Sequence, residues 1–354
     1  MGGAENLLVN LADSLYIKGH DVIIVTLKKD IVISPINNIK IISLDIDNKN
    51  NKVIMAYPKL IKIIKSFSPD IIHSHLYHAN ILCRLAKPFS KKSKLITTSH
   101  SKYEGGKLRM FLYRLTNIFS DLSTNVSDDA VQTFIRNKYI SKEKMLCVKN
   151  GVNTEKFKYN EADRKNIRKE LGLHNDEKML LSIGRLDIPK DYPNLLKAIQ
   201  LLTKTRNDFK AFIIGDGPQR EQINKLILEY KLSNHVLLLG IKKDTYKYYS
   251  ACDLFILSSQ WEGLPLVVAE AMSSESLVIS TNCGGTIELS DGVFELIEIN
   301  NSEKLKDKIN EYLSLPIEES NLIKKSSRRK IEESFSIEKT TNEYILLYNK
   351  LKGN

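Results

Sequence analysis

Short apolar runs alternate with helical stretches along almost the whole of this 354-residue chain, and that alternation restricts the fold more than any other feature. In the first half the runs are 21–27, 40–44, 71–74, 95–99, 122–126 and 145–148. Between them lie helical spacings near 52–67, 79–86, 107–119 and after Asp128. The second half repeats the scheme at 179–183, 209–214, 236–239, 254–257, 277–280 and 294–297, and three helical stretches close the chain. Such alternation predicts parallel sheets covered by helices on both faces, with ligands bound beyond the C-terminal strand ends. The segment 150–175 breaks the rhythm, starting at the turn signal Asn150-Gly151. Two α/β domains facing a cleft are therefore expected, at 1–155 and 156–335, with 336–354 a C-terminal helix packing back toward the first.

The opening MGGAENLLVNLADSLYIKGH reads as a helix, with Leu7, Leu8, Leu11 and Leu15 on one face. An α/β domain normally begins with a strand that feeds such a helix through a glycine turn. Here only the turn, Gly2 and Gly3, remains. The first strand of the N-terminal domain is expected to be missing, through a misassigned start or a truncation, which puts stability and acceptor binding in question.

With 42% hydrophobic and 27% charged residues the chain reads as globular. It has no apolar run of about eighteen residues and no charged segment leading into an apolar one, so neither a membrane span nor an export signal is expected. Cys83, Cys147, Cys252 and Cys283 lack C-x-x-C spacing, which argues against disulfides and zinc and for a cytoplasmic location. The net charge of +11 favours anionic surfaces, with a solvated basic face as the alternative. Nucleic acid is not expected, because no basic platform interleaved with aromatics is present.

The chemistry concentrates in WEGLPLVVAEAMSSESLVISTNCGG, residues 261–285. Pro265 suits the first turn of a helix, and unpartnered first-turn N–H groups bind phosphate. Gly263, Leu264, Pro265 and Leu266 would then bracket a diphosphate. Glu270, further along the helix, is placed to reach a ribose, and Glu262 to reach a transferred group. An exposed turn glutamate and a helix-surface charge are the alternative. Glycine turns recur after strands at Gly184, Gly215, Gly217 and Gly240, where they permit close backbone approach. Arg185 and Lys190 flank the first of these loops, and a guanidinium and an ammonium converging there would neutralise a diphosphate.

These pieces together resemble the family 4 retaining glycosyltransferases of the GT-B fold, which pairs two Rossmann-like domains. The residues carrying the resemblance are GRLDIPK with Arg185 and Lys190, GDGP at 215–218, EGLPLVVAE with Glu262 and Glu270, TNCGG at 281–285 and NGVN at 150–153. MGGAE, PDIIHSH at 69–75 and the region 97–127 add first-half matches. The resemblance implies that Arg185 and Lys190 hold the donor diphosphate, Glu270 the ribose, and Glu262 the donor sugar near its reacting centre. It implies that Gly215, Gly240 and Ile241 lie at the nucleoside, that His100 faces the sugar, and that no metal or other cofactor is required. A hexose or N-acetylhexosamine would pass from a nucleotide sugar, UDP-linked, to a polyprenyl-diphosphate-linked glycan in surface-polysaccharide synthesis. Glu275 and Leu277 depart from the glycine and proline common after this helix, and a left-handed Glu275 would place roughly 1 kcal/mol at risk.

His73 and His75, at a strand end, are candidate acceptor-side groups with Gly2 and Gly3. Asp45-Ile46-Asp47 has the spacing of a metal-binding D-x-D, but sits in an Asp/Asn-rich turn. The stretch 101–115 sets Leu108, Phe111, Leu112 and Leu115 on one face among Lys102, Lys107, Arg109 and Arg114. It suits either a membrane interface on the inner face of the cell membrane or a core-facing helix with solvated charges. Two rival readings are a non-catalytic nucleotide-sugar-binding relic and a sugar-nucleotide epimerase on the same fold.

Overall fold

The computed structural model describes residues 3–29, 33–46, 53–174 and 176–353. They fall into two compact units, Met1–Gly151 with Ile337–Asn354, and Val152–Ser336. Gly2 and Asp47 lie outside the described residues.

The first unit runs α1 (Gly3–Ile17), β1 (Ile23–Thr26), β2 (Lys40–Ser43), α2 (Val53–Phe67), β3 (Ile71–His75), α3 (Tyr77–Ala86), β4 (Lys94–Ser99), α4 (Lys107–Thr116), β5 (Leu122–Asn125), α5 (Asp128–Arg136) and β6 (Met145–Cys147). Strands β1 and β2 form one parallel pair, and β3-β4-β5-β6 a second parallel sheet. Among the described residues no strand joins them, yet they share both helical layers. Helix α1 packs Leu8 and Ala12 against Ile24 and Ile39, and Leu11 and Leu15 against Ile96, Leu122 and Val148. On the other face Val25 and Leu27 meet Ile72, Leu60, Ile64 and Leu82, from β3, α2 and α3.

The second unit runs α6 (Glu161–Glu170), β7 (Lys178–Ile183), α7 (Tyr192–Leu202), β8 (Phe209–Ile214), α8 (Arg220–Glu229), β9 (Val236–Gly240), α9 (Thr245–Ala251), β10 (Leu254–Leu257), α10 (Leu266–Ser273), β11 (Leu277–Thr281), α11 (Thr286–Ser290), β12 (Leu296–Ile297), α12 (Ser302–Leu313) and α13 (Ile317–Ser334). Its parallel sheet has the order β12-β11-β10-β7-β8-β9. The order reverses between β7 and β10, and in open α/β sheets ligands bind in the crevice at such a point. Helix α14 (Ile337–Lys352) then returns to the first unit, where Tyr344 and Tyr348 are buried with Ile96 and Leu122.

Helix α6 corrects the sequence expectation that 150–175 is irregular. Only Ile167 is buried in it, so no apolar period marks it. Its signals are polar: Asn160 accepts from the Asp163 N–H, and Arg164 and Arg168 both reach the Asp253 carboxylate. Helix α10 begins at Leu266, one residue later than a proline in the first turn requires, with Pro265 as its N-cap. At its other end the Glu275 N–H bonds to Met272 and the Ser276 N–H to Ala271, which closes a Schellman motif with Glu275 left-handed at φ 56°.

Candidate functional site

The loops after β7 and β10 flank the point where the strand order reverses, and three contacts tie them together. Ser258 Oγ donates to the Lys190 carbonyl at 2.8 Å, the Gln260 N–H donates to the Pro189 carbonyl at 2.8 Å, and Lys190 Nζ lies 2.6 Å from Glu262 Oε1. Ser259 Oγ donates to the same Glu262 oxygen at 2.7 Å. The Lys190 and Glu262 side chains are only 18% and 15% exposed, so each charge depends on the other for compensation. Asp191, which follows Lys190, takes a left-handed φ of 47° as N-cap of α7. That strain fixes the direction in which the lysine leaves the backbone.

Arg185 has a different setting from Lys190. Its side chain is 70% exposed, with Asp187 3.6 Å away, whereas Lys190 is turned onto Glu262. The guanidinium is therefore open to solvent with one carboxylate near it, and the ammonium is engaged in the interior of the loop pair.

Glycines bring the remaining loops within backbone contact. A Cβ on Gly215, at φ 144°, would stand 1.9 Å from the Gly184 carbonyl oxygen, and one on Gly284, at φ 56°, 2.1 Å from that of Glu262. The Gly215 N–H donates to Gly240, which ends β9, and the Gly285 N–H donates to Gly263. Gly215, Gly240 and Gly263 thus belong to one continuous shelf, beyond whose β9 edge Ile241 is exposed. Leu264, just before α10, and Leu266, its first residue, are both buried. No side chain caps α10, and of its first turn the Val268 N–H donates to the Pro265 carbonyl, which leaves those of Leu266 and Val267 as the ones an anion could take. Further along α10, Glu270 accepts a hydrogen bond from Tyr249 Oη at 2.8 Å, and burial pushes its carboxyl up to about 7. Sequence reasoning missed Ser259 and Tyr249. Ser259 lies three residues before Glu262 and was within reach of a turn argument; Tyr249, on another helix, carried no local signal.

In the first unit three histidines gather at the ends of β3 and β4. His75 Nδ1 and His100 Nε2 are 3.1 Å apart. His73 Nδ1 lies 2.7 Å from Tyr348 Oη and its Nε2 2.7 Å from Thr98 Oγ1, so both ring nitrogens are committed inside the unit. The His73 ring also lies 4.2 Å from that of His75. His75 is buried, and His100 Nδ1 is buried without a protein partner. Burial holds His73 down at about 3, His100 at about 4, and His75 well below the ordinary imidazole range. Glu104, in the loop after β4, is a further buried carboxyl pushed upward by desolvation. Gly3 opens α1. Asp45 is paired with Lys59 at 2.8 Å.

Two family models divide the chain much as these units do. Residues 1–156 match Glycosyltransferase Family 4, and residues 163–329 match Glycosyl transferases group 1. The chain belongs to the family 4 glycosyltransferases. An uncharacterized glycosyltransferase of Methanocaldococcus jannaschii is 29% identical to this glycosyltransferase over 272 residues, 72% of this chain and 64% of that protein. An Escherichia coli UDP-Gal:alpha-D-GlcNAc-diphosphoundecaprenol alpha-1,3-galactosyltransferase is 29% identical over 307 residues, 82% of this chain and 77% of that one. Among solved structures, Anabaena HepE in complex with UDP and glucose superposes with a TM-score of 0.84 at 18% identity, covering 98% of this chain and 95% of that one. The fold of this glycosyltransferase is thus the GT-B fold of two Rossmann-like domains.

Proposed function

We propose that this glycosyltransferase moves a hexose or N-acetylhexosamine from a UDP-sugar to a polyprenyl-diphosphate-linked glycan in surface-polysaccharide synthesis, at the inner face of the cell membrane. The observation that carries the reading is the Lys190–Glu262 pair at the strand-order reversal, with an uncapped helix start beside it and Glu270 further along that helix. Similarity supports the substrates: the E. coli relative is named for a UDP-Gal donor and an undecaprenol-diphosphate acceptor, and HepE was solved with UDP and glucose.

In this reading Arg185 and the first turn of α10 receive the diphosphate, and Lys190 shifts its charge onto it as the leaving group develops. Glu262, released from that ammonium, accepts a hydroxyl of the donor sugar. Glu270 accepts from the ribose, with Gly240 and Ile241 at the base. The anomeric carbon loses its bond to the phosphate oxygen and gains one to the acceptor oxygen on the same face, so configuration is retained. The acceptor proton passes to the departing phosphate. His100, held by His75, is assigned to the transferred sugar, and no metal takes part.

Calorimetric titration with UDP, GDP and ADP tests the donor site, followed by transfer from UDP-sugars to a polyprenyl-diphosphate-linked acceptor with and without EDTA. UDP-selective binding and EDTA-insensitive product of unchanged anomeric configuration are expected. Binding without product under any donor would favour the non-catalytic relic.

A further inference from the structure

Helix α4 is amphipathic the wrong way round for a helix of an isolated soluble unit. Only Met110 and Tyr113 are buried in it. Leu108, Phe111, Leu112 and Leu115, spaced i, i+3, i+4, i+7, form one apolar stripe, with Leu108 72% and Phe111 55% exposed. The core-facing alternative for this stripe does not hold. The short 3-10 turn that follows, Asn117–Phe119, extends it with Ile118, 74% exposed.

The stripe is held rigidly and is not alone. Arg84, fully buried at the end of α3, donates to the Tyr113 carbonyl at 2.9 Å and lies within 3.4 Å of Asn117 Oδ1, which locks the C-terminal ends of α3 and α4 together. The end of α3 and the turn after it expose Leu85 and Phe89. Next to Ile118 opens a hollow lined by Lys87, Lys91 and Lys144, with Asp121 the one acidic side chain in its wall. Lys87 lies 3.3 Å from that carboxylate, and Lys144 donates to the Ser120 carbonyl. Lys91, Lys92, Lys107 and Arg114 have no carboxylate partner among the described residues.

An exposed apolar helix stripe with uncompensated cations on the same elements matches an anionic lipid surface, where aliphatic and aromatic groups enter the acyl boundary and lysines meet phosphates. We infer that α4, its following turn and the end of α3 dock this protein on an anionic lipid bilayer. The inference deepens the proposed function, since a lipid-linked acceptor is met only there. An acidic protein surface would satisfy the cations but leave Leu108 and Ile118 facing polar groups, so lipid is the occupant the two features favour together.

Flotation of the full chain with phosphatidylcholine vesicles, with and without phosphatidylglycerol, tests it. Binding to the anionic vesicles alone is expected, weakened by salt and reduced at least about tenfold by Leu108→Gln with Phe111→Gln. Lys91→Glu with Arg114→Glu, which leaves the stripe intact, is expected to lose it similarly, whereas Leu228→Gln, an exposed leucine of the second unit, should not. UDP titration of each preparation separates the two readings. Vesicle binding that is absent, or unchanged in both double variants, while UDP still binds overturns the docking surface alone. Lost UDP binding with flotation intact overturns the donor site alone.

Discussion

Lys190 and Glu262, 72 residues apart in sequence, are joined at 2.6 Å across the two loops where the strand order of the second unit reverses. In the proposed reading a donor phosphate arriving there competes with Glu262 for the lysine. The pair is thus a switchable contact whose halves are predicted to fail in different ways.

Glu262→Ala is expected to lower turnover on the order of a hundredfold or more while leaving UDP affinity nearly unchanged or slightly stronger, because Lys190 is then free. Lys190→Ala is expected to lower both, and also to leave Glu262 as an uncompensated buried charge, visible as a lower melting temperature. Calorimetry and initial rates on the two variants check the split. Full activity in Glu262→Ala would remove that residue from the mechanism.

Glu270 predicts a pH dependence in UDP binding. In the proposed reading its carboxyl, raised to about 7 by burial, accepts from the ribose in its ionised form. The affinity should therefore fall as pH drops below about 7, approaching tenfold per unit, and Glu270→Gln should flatten the profile. For folding the sign is opposite. A carboxyl raised above its unfolded value of 4.5 contributes stability that is fully present below that value and lost as pH rises through about 7. Glu270→Gln should consequently gain on the parent protein in thermal stability at pH 8.

The histidine cluster predicts loss of stability on mild acidification. The unfolded chain protonates these rings near 6.5, while His73 and His100 resist to about 3 and 4 and His75 well below its ordinary value. The stability they contribute is complete above the unfolded value and declines as pH falls toward the folded ones, by up to about 1.4 kcal/mol per unit for each ring. Melting curves between pH 7.5 and 5 should show a steep decline that His75→Gln makes shallower.

Glu275 holds a left-handed conformation at the end of α10 that glycine adopts without strain. Glu275→Gly should stabilise the second unit by about 1 kcal/mol, read as a higher urea midpoint at unchanged slope. An unchanged midpoint would mean that the glutamate's neighbours already offset the strain.

Glu275 was also one of the features legible in the sequence, because it stands where glycine is common after this helix in the family the chain resembles, and glycine tolerates a positive φ. The strand series was legible for a related reason: period and turn residues are local properties. Legibility ended where distant segments meet. Nothing near Lys190 announces Glu262, 72 residues further on, so the pair was not legible although each member stood out as a candidate by itself. Helix α6 escaped because its anchoring is ionic, through Arg164, Arg168 and Asp253. The outward apolar stripe of α4 stayed ambiguous because spacing shows that a face exists without showing which way it turns.

The return of α14 has a consequence for how such genes can be cut and recombined. Tyr348 and Tyr344, more than 190 residues beyond Gly151, close the histidine cluster of the first unit, with His73 bonded to one ring's hydroxyl and its ring centre 4.6 Å from that of the other. A fragment ending at codon 151 would encode every described strand of that unit and still lack part of its core. Exchange of the first unit between relatives therefore takes two crossovers, one on either side of the second unit, and a single-junction chimera inherits a mismatched seam between α14 and the strands beneath it.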